Sequence, residues 1–396
     1  MRIARRYIAS EIYRSSAVVL LALIALFSFF NLIDDLDKIS EQVSLLNLLN
    51  LQLLSIPTQL YELLPIGLLI GSVLALAGLA QRNELVMLRV AGISGLQLLL
   101  ALWVITIPLM AGAFVLSEYI TPKAEMQVSE SSLEVFGRAG GGRLASGYWF
   151  KENDANTPMR IINIGRLTDK STVQDITIYE FDARQHLTTF IQAPSGRFVD
   201  STLRLSAAQR SHIAPNALDA LEVLNINNNE IPLITLESLH ELSINTTLNA
   251  ERLLARILTP ERMAISDLVD YLDYLDANQL QTDRQAVALW RKIAYPFTLL
   301  VMITIAAPIS FMQTRQGGMG SKVFLGIIIG IGFFMANQLA LNLGMLSQWQ
   351  PWITALLPSL LALTLALIAL AIIENRQHWP RRQHDSTETT NTHAKS

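Results

Sequence analysis

The stretch QGGMGSK, residues 316–322, carries the glycines and the lysine that a phosphate-cradling loop uses. It lacks the Gly-Lys-Ser/Thr order and follows a long apolar run instead of a strand, so it reads as a tight glycine turn between two such runs. No His-Glu-x-x-His motif occurs, the six histidines all lie outside the apolar runs, and no Ser/His/Asp set has supporting context. The chain has no cysteine, which removes disulfides and thiolate metal sites. These residues point to a non-catalytic chain with no cofactor and no metal. A carrier driven by protons or sodium needs an ionisable group at mid-membrane. The apolar runs hold none in their interiors, and Glu62 and Glu118 fall at their margins. What remains is AQRNELVMLRVAGIS, residues 80–94, a charged helical pattern with Arg82, Glu84 and Arg89 wedged between two apolar runs. A short turn would join those runs equally well, so two readings stand. It is a docking helix, with Glu84 favoured in the first turn by the macrodipole and Leu85, Leu88 and Leu96 offering apolar contact, or a surface helix whose arginines snorkel.

The elements around that stretch are membrane spans. Of 396 residues 51% are hydrophobic and only 16% charged, and the net charge of −3 excludes a basic nucleic-acid binder. About 20 apolar residues cross a hydrocarbon layer of about 30 Å, and six runs qualify: 16–33, 63–80, 96–120, 293–312, 323–346 and 352–373. The first is too long for a signal-peptide core and lacks a small-x-small site before NLIDDLDK, so it stays as an anchor. Residues 45–56 are leucine-rich but interrupted by Asn47, Asn50 and Gln52 and followed by Pro57, the pattern of an interfacial helix leading into the second span. Basic residues sort to one face: Arg2, Arg5, Arg6 and Arg14, then Arg82 and Arg89, then Arg315 and Lys322, then Arg376, Arg381 and Arg382. The other face has the acidic DDLDKISEQ and the uncharged SQWQ, which makes the basic face cytoplasmic and puts both termini there.

The long segment between the third and fourth spans then lies outside the cytoplasm. MRIINIGRL, VQDITIYEFD, HLTTFIQA and GRFVDSTLRLS alternate as half-buried strands, with turns expected at DARQ and APSG. RAGGGRLASG reads as a glycine-rich connection and NINNNEIP as a polar loop. A helix pattern returns in SDLVDYLDYLDANQL, with Ser266 expected as its N-cap and Asn278 as its left-handed stop. The fold class is therefore an α-helical membrane protein of six transmembrane helices, three plus three, with an inserted all-β periplasmic domain. Its divisions are 1–120, spans one to three with the charged helix near 80–94; 121–265, the β domain; 266–375, a periplasmic helix and spans four to six; and 376–396, a polar cytoplasmic tail of disordered composition.

Four stretches in this order resemble the lipopolysaccharide-export permease family: LYELLPIGLLIGSVLALAGL, the AQRNELVMLRVAGIS that follows it, LWRKIAYPF at 289–297 and RQGGMGSKVFLGIIIGIGFFMANQL at 315–339. Within the family NELVMLRVAG and PWITALLPSLLALTLALIAL look closer to the G subunit than to the F subunit. The resemblance implies an inner-membrane permease subunit of an ABC transporter that extracts lipopolysaccharide and passes it toward the outer membrane. The implied partners are an F-type sister permease, a dimeric B-type ATPase that hydrolyses the ATP, a single-span C-type protein and a periplasmic A-type bridge. It also implies that the β domain is jelly-roll-like. Glu84 becomes the acidic contact of an ATPase-coupling helix, with Leu85, Leu88 and Arg89 beside it. Basic residues expected to meet lipid phosphates are replaced here by Asn31, Ser129 and Ser132, while Lys38 is retained. Lys123, Arg291 and Lys292 either substitute for them or serve as interfacial anchors. The implied greasy cavity lies along the first and fifth spans, so Phe27, Phe30, Phe324, Ile328 and Phe333 either line it or face lipid. Gly326 and Gly330, spaced as GxxxG, either allow a close helix approach or recur by chance.

Two alternatives stay open at this stage. The chain could be the sister F-type subunit, or a non-transporting membrane scaffold or receptor whose β domain binds a periplasmic partner by edge-strand addition.

Overall fold

Six helices long and apolar enough to cross a membrane appear in the computed structural model of the chain, which describes residues 2–36, 44–90, 92, 94–136, 147–152, 159–167, 171–182, 184–199, 202–213, 234–246, 259–311, 319–347 and 349–378. The RAGGGRLASG connection apart from its last glycine, the polar NINNNEIP loop, Lys38, Arg315 and most of the tail lie outside them. In chain order the helices are α1 (Arg2–Leu36), α2 (Leu45–Gln81), α3 (Glu84–Val90), α4 (Gly95–Val115) running through a wide turn at Leu116–Ile120 into α5 (Thr121–Phe136), α6 (Ile265–Ala277), α7 (Asp283–Phe311), α8 (Met319–Leu346) and α9 (Pro351–His378). Among the described residues six strands lie between α5 and α6: β1 (Tyr148–Glu152), β2 (Met159–Leu167), β3 (Thr172–Phe181), β4 (Leu187–Val199), β5 (Thr202–Ile213) and β6 (Ile234–Asn245). The chain divides into two compact units, Met1–Phe29 with Gln59–Leu116 and Ala286–Ser396, and Phe30–Thr58 with Ser117–Gln285.

In the first unit α2 and α7 are central. Leu64, Leu68, Leu76 and Leu79 of α2 pack with Ile8 and Ile12 of α1, Leu98 and Leu102 of α4 and Leu299 and Ile303 of α7. Leu69 and Val73, on another face of α2, join Val301, Met302 and Ile305 of α7 and Ala366 of α9. Pro65 has no N–H to give to the carbonyl of Tyr61 four residues earlier. The Tyr295 hydroxyl donates to that oxygen at 2.5 Å, and the two tyrosine rings stack with centroids 4.1 Å apart, so the proline is accommodated inside an unbroken helix. Pro57 lies in the same helix, and residues 45–56 are therefore its first turns instead of a separate interfacial helix.

α1 and α2 approach each other closely at two glycines. A Cβ at Gly71 would sit 2.4 Å from the Ser16 Cα, and one at Gly67 2.3 Å from the end of Leu20. Gly67 and Gly71 are a GxxxG pair that the sequence displays as openly as Gly326 and Gly330 do. The latter pair faces α2 of the same chain, Gly326 toward Val73 at 3.4 Å and Gly330 toward Leu69 and Ile66. Those are ordinary van der Waals distances.

The second unit carries the sheet, which is antiparallel with its strands in chain order from β1 to β6. One row of residues crosses it at right angles to the strands: Gly147, Gly165, Asp175, Pro194, Ala207 and His240 stand opposite one another, and pairing lapses along the row while the register on both sides is unchanged. Gly147, Asp175 and Ala207 have φ of 75°, 54° and 53°, a left-handed backbone that glycine adopts freely and alanine does not. β3, β4 and β5 each carry one supernumerary residue at this level, so their inward face changes phase: Val173 and Ile176, Ala193 and Gly196, Leu205 and Ala208 are all buried at a spacing of three. A bulge in a single strand kinks that strand; bulges side by side crease the sheet. Residues from both sides of the crease form one core that, among the described residues, is made of strand side chains, including Ile162, Ile178, Ile191, Phe198 and Leu203. The inward face thus packs on itself as a roll. Pro194 is tolerated in mid-sheet because its missing N–H falls where the ladder is already broken.

APSG, expected as a turn, is accordingly the interior of β4 at the crease. The DARQ turn forms as expected: the Asp182 carboxylate accepts from the N–H groups of His186 and Arg184, both at 2.8 Å, which hold its carboxyl below the usual carboxylate range. β6 is an edge among the described strands and leaves Ile234 and Leu236 exposed.

Beneath the sheet two carboxylates organise the connections. Glu118 accepts from the N–H groups of Ile265 at 2.8 Å and Ser266 at 3.4 Å and from the Ser266 hydroxyl. It therefore caps α6 from another element, and Ser266 lies inside the first turn instead of capping it. At the other end of α6 the left-handed residue is Gln279, φ 55°, and not Asn278. Glu125 is buried and accepts from the Thr58 hydroxyl at 2.5 Å and from Arg262 at 3.0 Å, tying α2, α5 and the turn at Pro260–Arg262 together. Tyr274 and Lys151 exchange contacts between α6 and β1, the Lys151 ammonium donating to the Asn278 carbonyl at 3.0 Å.

Candidate functional site

The charged stretch between the second and third apolar runs becomes a built element. α2 ends at Gln81, and Asn83, with φ 60°, turns the chain; asparagine is among the few side chains that adopt this conformation readily. α3 follows for seven residues with Glu84 in its first turn. Gly92, φ 89°, ends the passage, and Ser94 starts α4 with a reciprocal capping box, its hydroxyl accepting from the Gln97 N–H at 3.2 Å while the Gln97 side chain accepts from the Ser94 N–H at 3.3 Å.

α3 is fastened to the first two turns of α1. Leu85 is 3% exposed and belongs to the same core as Ile8, Ile12 and Leu79, so it anchors the helix instead of facing outward. Among the described residues Met87 and Val90 are the outward apolar side chains of α3. The Tyr7 hydroxyl lies near the Glu84 carboxylate and the Arg82 side chain, and Arg82 approaches Glu11 at 3.9 Å, a contact worth little in solvent. Between the two helices Ala4, Tyr7, Ile8, Leu79, Glu84, Leu85 and Met87 surround an apolar cavity of about 190 Å³ with the carboxylate beside it. A helix fixed at one face by a leucine, with an acid beside a tyrosine and an apolar recess next to it, can receive a partner's basic and apolar side chains together. The side chains of Leu88 and Arg89 lie outside the described residues. Nothing in the sequence pattern marks Tyr7 strongly. Its signal there is slight: it is the neighbour of Ile8 in RRYIASEIY, on a helix whose apolar positions Ile8 and Ile12 face the core.

The residues expected to meet lipid separate into two groups. Phe27, Phe30, Phe324 and Ile328 are 46%, 54%, 64% and 48% exposed, whereas Phe333 packs against the cluster formed by α2, α7 and α9. Lys123 is exposed, Arg291 half-buried, and Lys292 buried. Ser129 and Ser132, at positions where basic residues were implied, are buried on α5. Gly326 and Gly330 are placed at a helix contact, within this chain. Among the described residues no group of three histidine, aspartate or glutamate side chains could hold a metal ion.

Residues 6–372 match the family described as "Lipopolysaccharide export system permease LptF/LptG". The chain is similar to the lipopolysaccharide export system permease protein LptG of Haemophilus influenzae, 27% identical over 310 residues that cover 78% of this chain and 81% of that protein. It is also similar to the protein of the same name from Escherichia coli K12, 26% identical over 312 residues covering 78% and 80%.

Proposed function

The chain belongs to the LptF/LptG family of lipopolysaccharide export permeases and is a multi-pass inner-membrane protein, and from that premise we propose that it is the G-type transmembrane subunit of an ATP-driven lipopolysaccharide extractor. The observation that carries this reading is α3, a short charged helix on the basic face of the bundle, pinned to α1 by Leu85. Force applied there by a cytoplasmic ATPase dimer moves α1 directly. Lifting one acyl chain of a dozen methylenes from lipid into water costs roughly 10 kcal/mol at about 0.8 kcal/mol per methylene, so apolar protein surface must replace the bilayer. Exposed Phe27 and Phe30 on α1 and Phe324 and Ile328 on α8 offer that surface, with the F-type sister supplying the opposing wall. Lys38, Lys123, Arg291 and Lys292 are the basic groups for the headgroup side. ATP hydrolysis belongs to the B-type partner, and the C-type and A-type proteins continue the route from the β domain, by strand addition at an edge such as β6.

Purified whole from membranes in mild detergent, the chain is expected to carry a second six-span permease, an ATPase and bound lipopolysaccharide, all read by mass spectrometry. A chain that arrives without ATPase and without lipid overturns the reading. Its orientation is tested separately. A reporter active only outside the cytoplasm is expected to work when fused near Asn228 and to fail when fused after Arg315 or Arg376; the reverse pattern inverts the assignment of both termini to the cytoplasm and of the β domain to the periplasm.

A further inference from the structure

α2 has an attachment toward each end. Near its C-terminus Leu79 lies in one core with Leu85 of α3. Toward its N-terminus the Thr58 hydroxyl donates to the buried Glu125, which also holds Arg262. Thr58 and Leu79 are about 32 Å apart along the helix at about 1.5 Å per residue. A helix carries a displacement over that distance only while its hydrogen-bond ladder is intact. Pro65 is the one proline between the two residues, about 10 Å from Thr58, and a proline inside a helix opens the ladder and is where helices bend.

The carbonyl that Pro65 leaves without an N–H is the one to which the Tyr295 hydroxyl donates, at 2.5 Å. The stacked rings of Tyr61 and Tyr295, 4.1 Å apart with 21° between their planes, hold the two residues together. The hydroxyl therefore stands in for the missing N–H, and it comes from α7. Any residue other than proline at position 65 would supply that N–H from within α2. The two positions are thus chemically linked: what the Tyr295 hydroxyl provides is what Pro65 withholds. The ring has a separate role, packing in the core that contains Leu64, Leu68 and Leu299, and phenylalanine keeps that role.

We propose that Tyr295 is a positioning residue for export: its hydroxyl keeps α2 stiff across Pro65, so that a displacement at α3 reaches Thr58 and the Glu125–Arg262 pair. This deepens the export reading above and rests on it.

The test compares Tyr295→Phe, Pro65→Ala and the double variant in the whole complex reconstituted in vesicles, and reads lipopolysaccharide released per ATP hydrolysed. Loss of folded complex lowers both quantities together, so a purely structural defect leaves the ratio unchanged. Tyr295→Phe is expected to lower the ratio about two- to tenfold, the worth of one neutral hydrogen bond, with the ATPase still attached and hydrolysing. Pro65→Ala is expected to match the wild type, and Tyr295→Phe on that background is expected to cost nothing. A wild-type ratio for Tyr295→Phe overturns the proposal. So does a double variant as defective as Tyr295→Phe, because the hydroxyl then acts elsewhere, and so does a defect in Pro65→Ala alone, because export then needs α2 to bend. Failure of the export reading looks different: a wild-type complex that holds no ATPase or releases no lipopolysaccharide removes that reading, and the proposal with it.

Discussion

Glu84→Lys is expected to leave the chain inserted in the membrane and to strip it of its ATPase. Glu84 lies at the solvent-facing start of α3, where substitutions usually change folding by within about 0.5 kcal/mol, and the anchoring of the helix rests on Leu85. The partner contact is different. A charge-assisted hydrogen bond is worth about 1.5 to 3 kcal/mol, which corresponds to about a tenfold to hundredfold change in engagement at about 1.4 kcal/mol per decade. Lysine there also meets Arg82 and loses the Tyr7 hydroxyl's acidic partner, so repulsion adds to the loss. Glu84→Gln keeps the shape and the tyrosine contact and isolates the charge, with an intermediate defect expected. The measurements are ATPase co-purification and the rate of lipopolysaccharide release from reconstituted vesicles. Wild-type values for Glu84→Lys in both would remove α3 as the docking element.

The second large effect is expected at Gly71, where even alanine has no room. Its Cβ would lie 2.4 Å from the Cα of Ser16 and 2.6 Å from the Ser16 nitrogen, backbone atoms that cannot rotate aside, so α1 must move off α2. Overpacking costs about 1 to 3 kcal/mol and more when a backbone shifts. α1 also carries Ile8 and Ile12 into the core and Tyr7 to Glu84, so displacement disturbs α3 as well. Gly71→Ala is expected to lower the thermal midpoint of the purified chain by several degrees and to weaken ATPase binding, while Gly326→Ala, with 3.4 Å to its nearest neighbour Val73, is expected to match the wild type in both. Equal midpoints for the two variants would show that the α1–α2 crossing is not as tight as drawn.

The contrast between those glycines shows how far the sequence could be read. Six spans and an inserted β domain were legible because a run of 20 apolar residues and a period of two are each properties of a single segment. Which face of a span meets which neighbour is not. Inside an apolar helix every residue is compatible with lipid or protein, so the sequence does not distinguish the pair Gly326 and Gly330 from the tighter pair at Gly67 and Gly71. Leu85 was read as a docking residue for the same reason: a leucine on a short helix points inward or outward only once α1 is packed against it. The separation of residues 45–56 from the second span rested on the asparagines and Pro57, which a long helix accommodates. Ser266 had the right chemistry for an N-cap, yet a carboxylate 148 residues earlier in the chain, Glu118, took the position. APSG carried the composition of a turn, and only the three-residue spacing of Ala193 and Gly196 on the buried face hinted that the strand continued through it.

The crease across the sheet limits how such a domain can change length during evolution. Because the row from Gly147 to His240 crosses the strands without a change of register, the distance from the row to a hairpin is shared by the two strands that meet there, apart from a one-residue shift at Glu180/Phe181 beside the β3–β4 turn. A single inserted residue in one arm reverses inside and outside along that arm unless a bulge absorbs it, as the one at Glu180/Phe181 does beside its turn. Tolerated changes are therefore paired ones, placed on both arms of the same hairpin and in even steps, or confined to the turns themselves. Relatives of this chain should vary in hairpin reach by symmetrical increments while the row keeps its place, much as pages bound at a spine can be trimmed only at the outer margin.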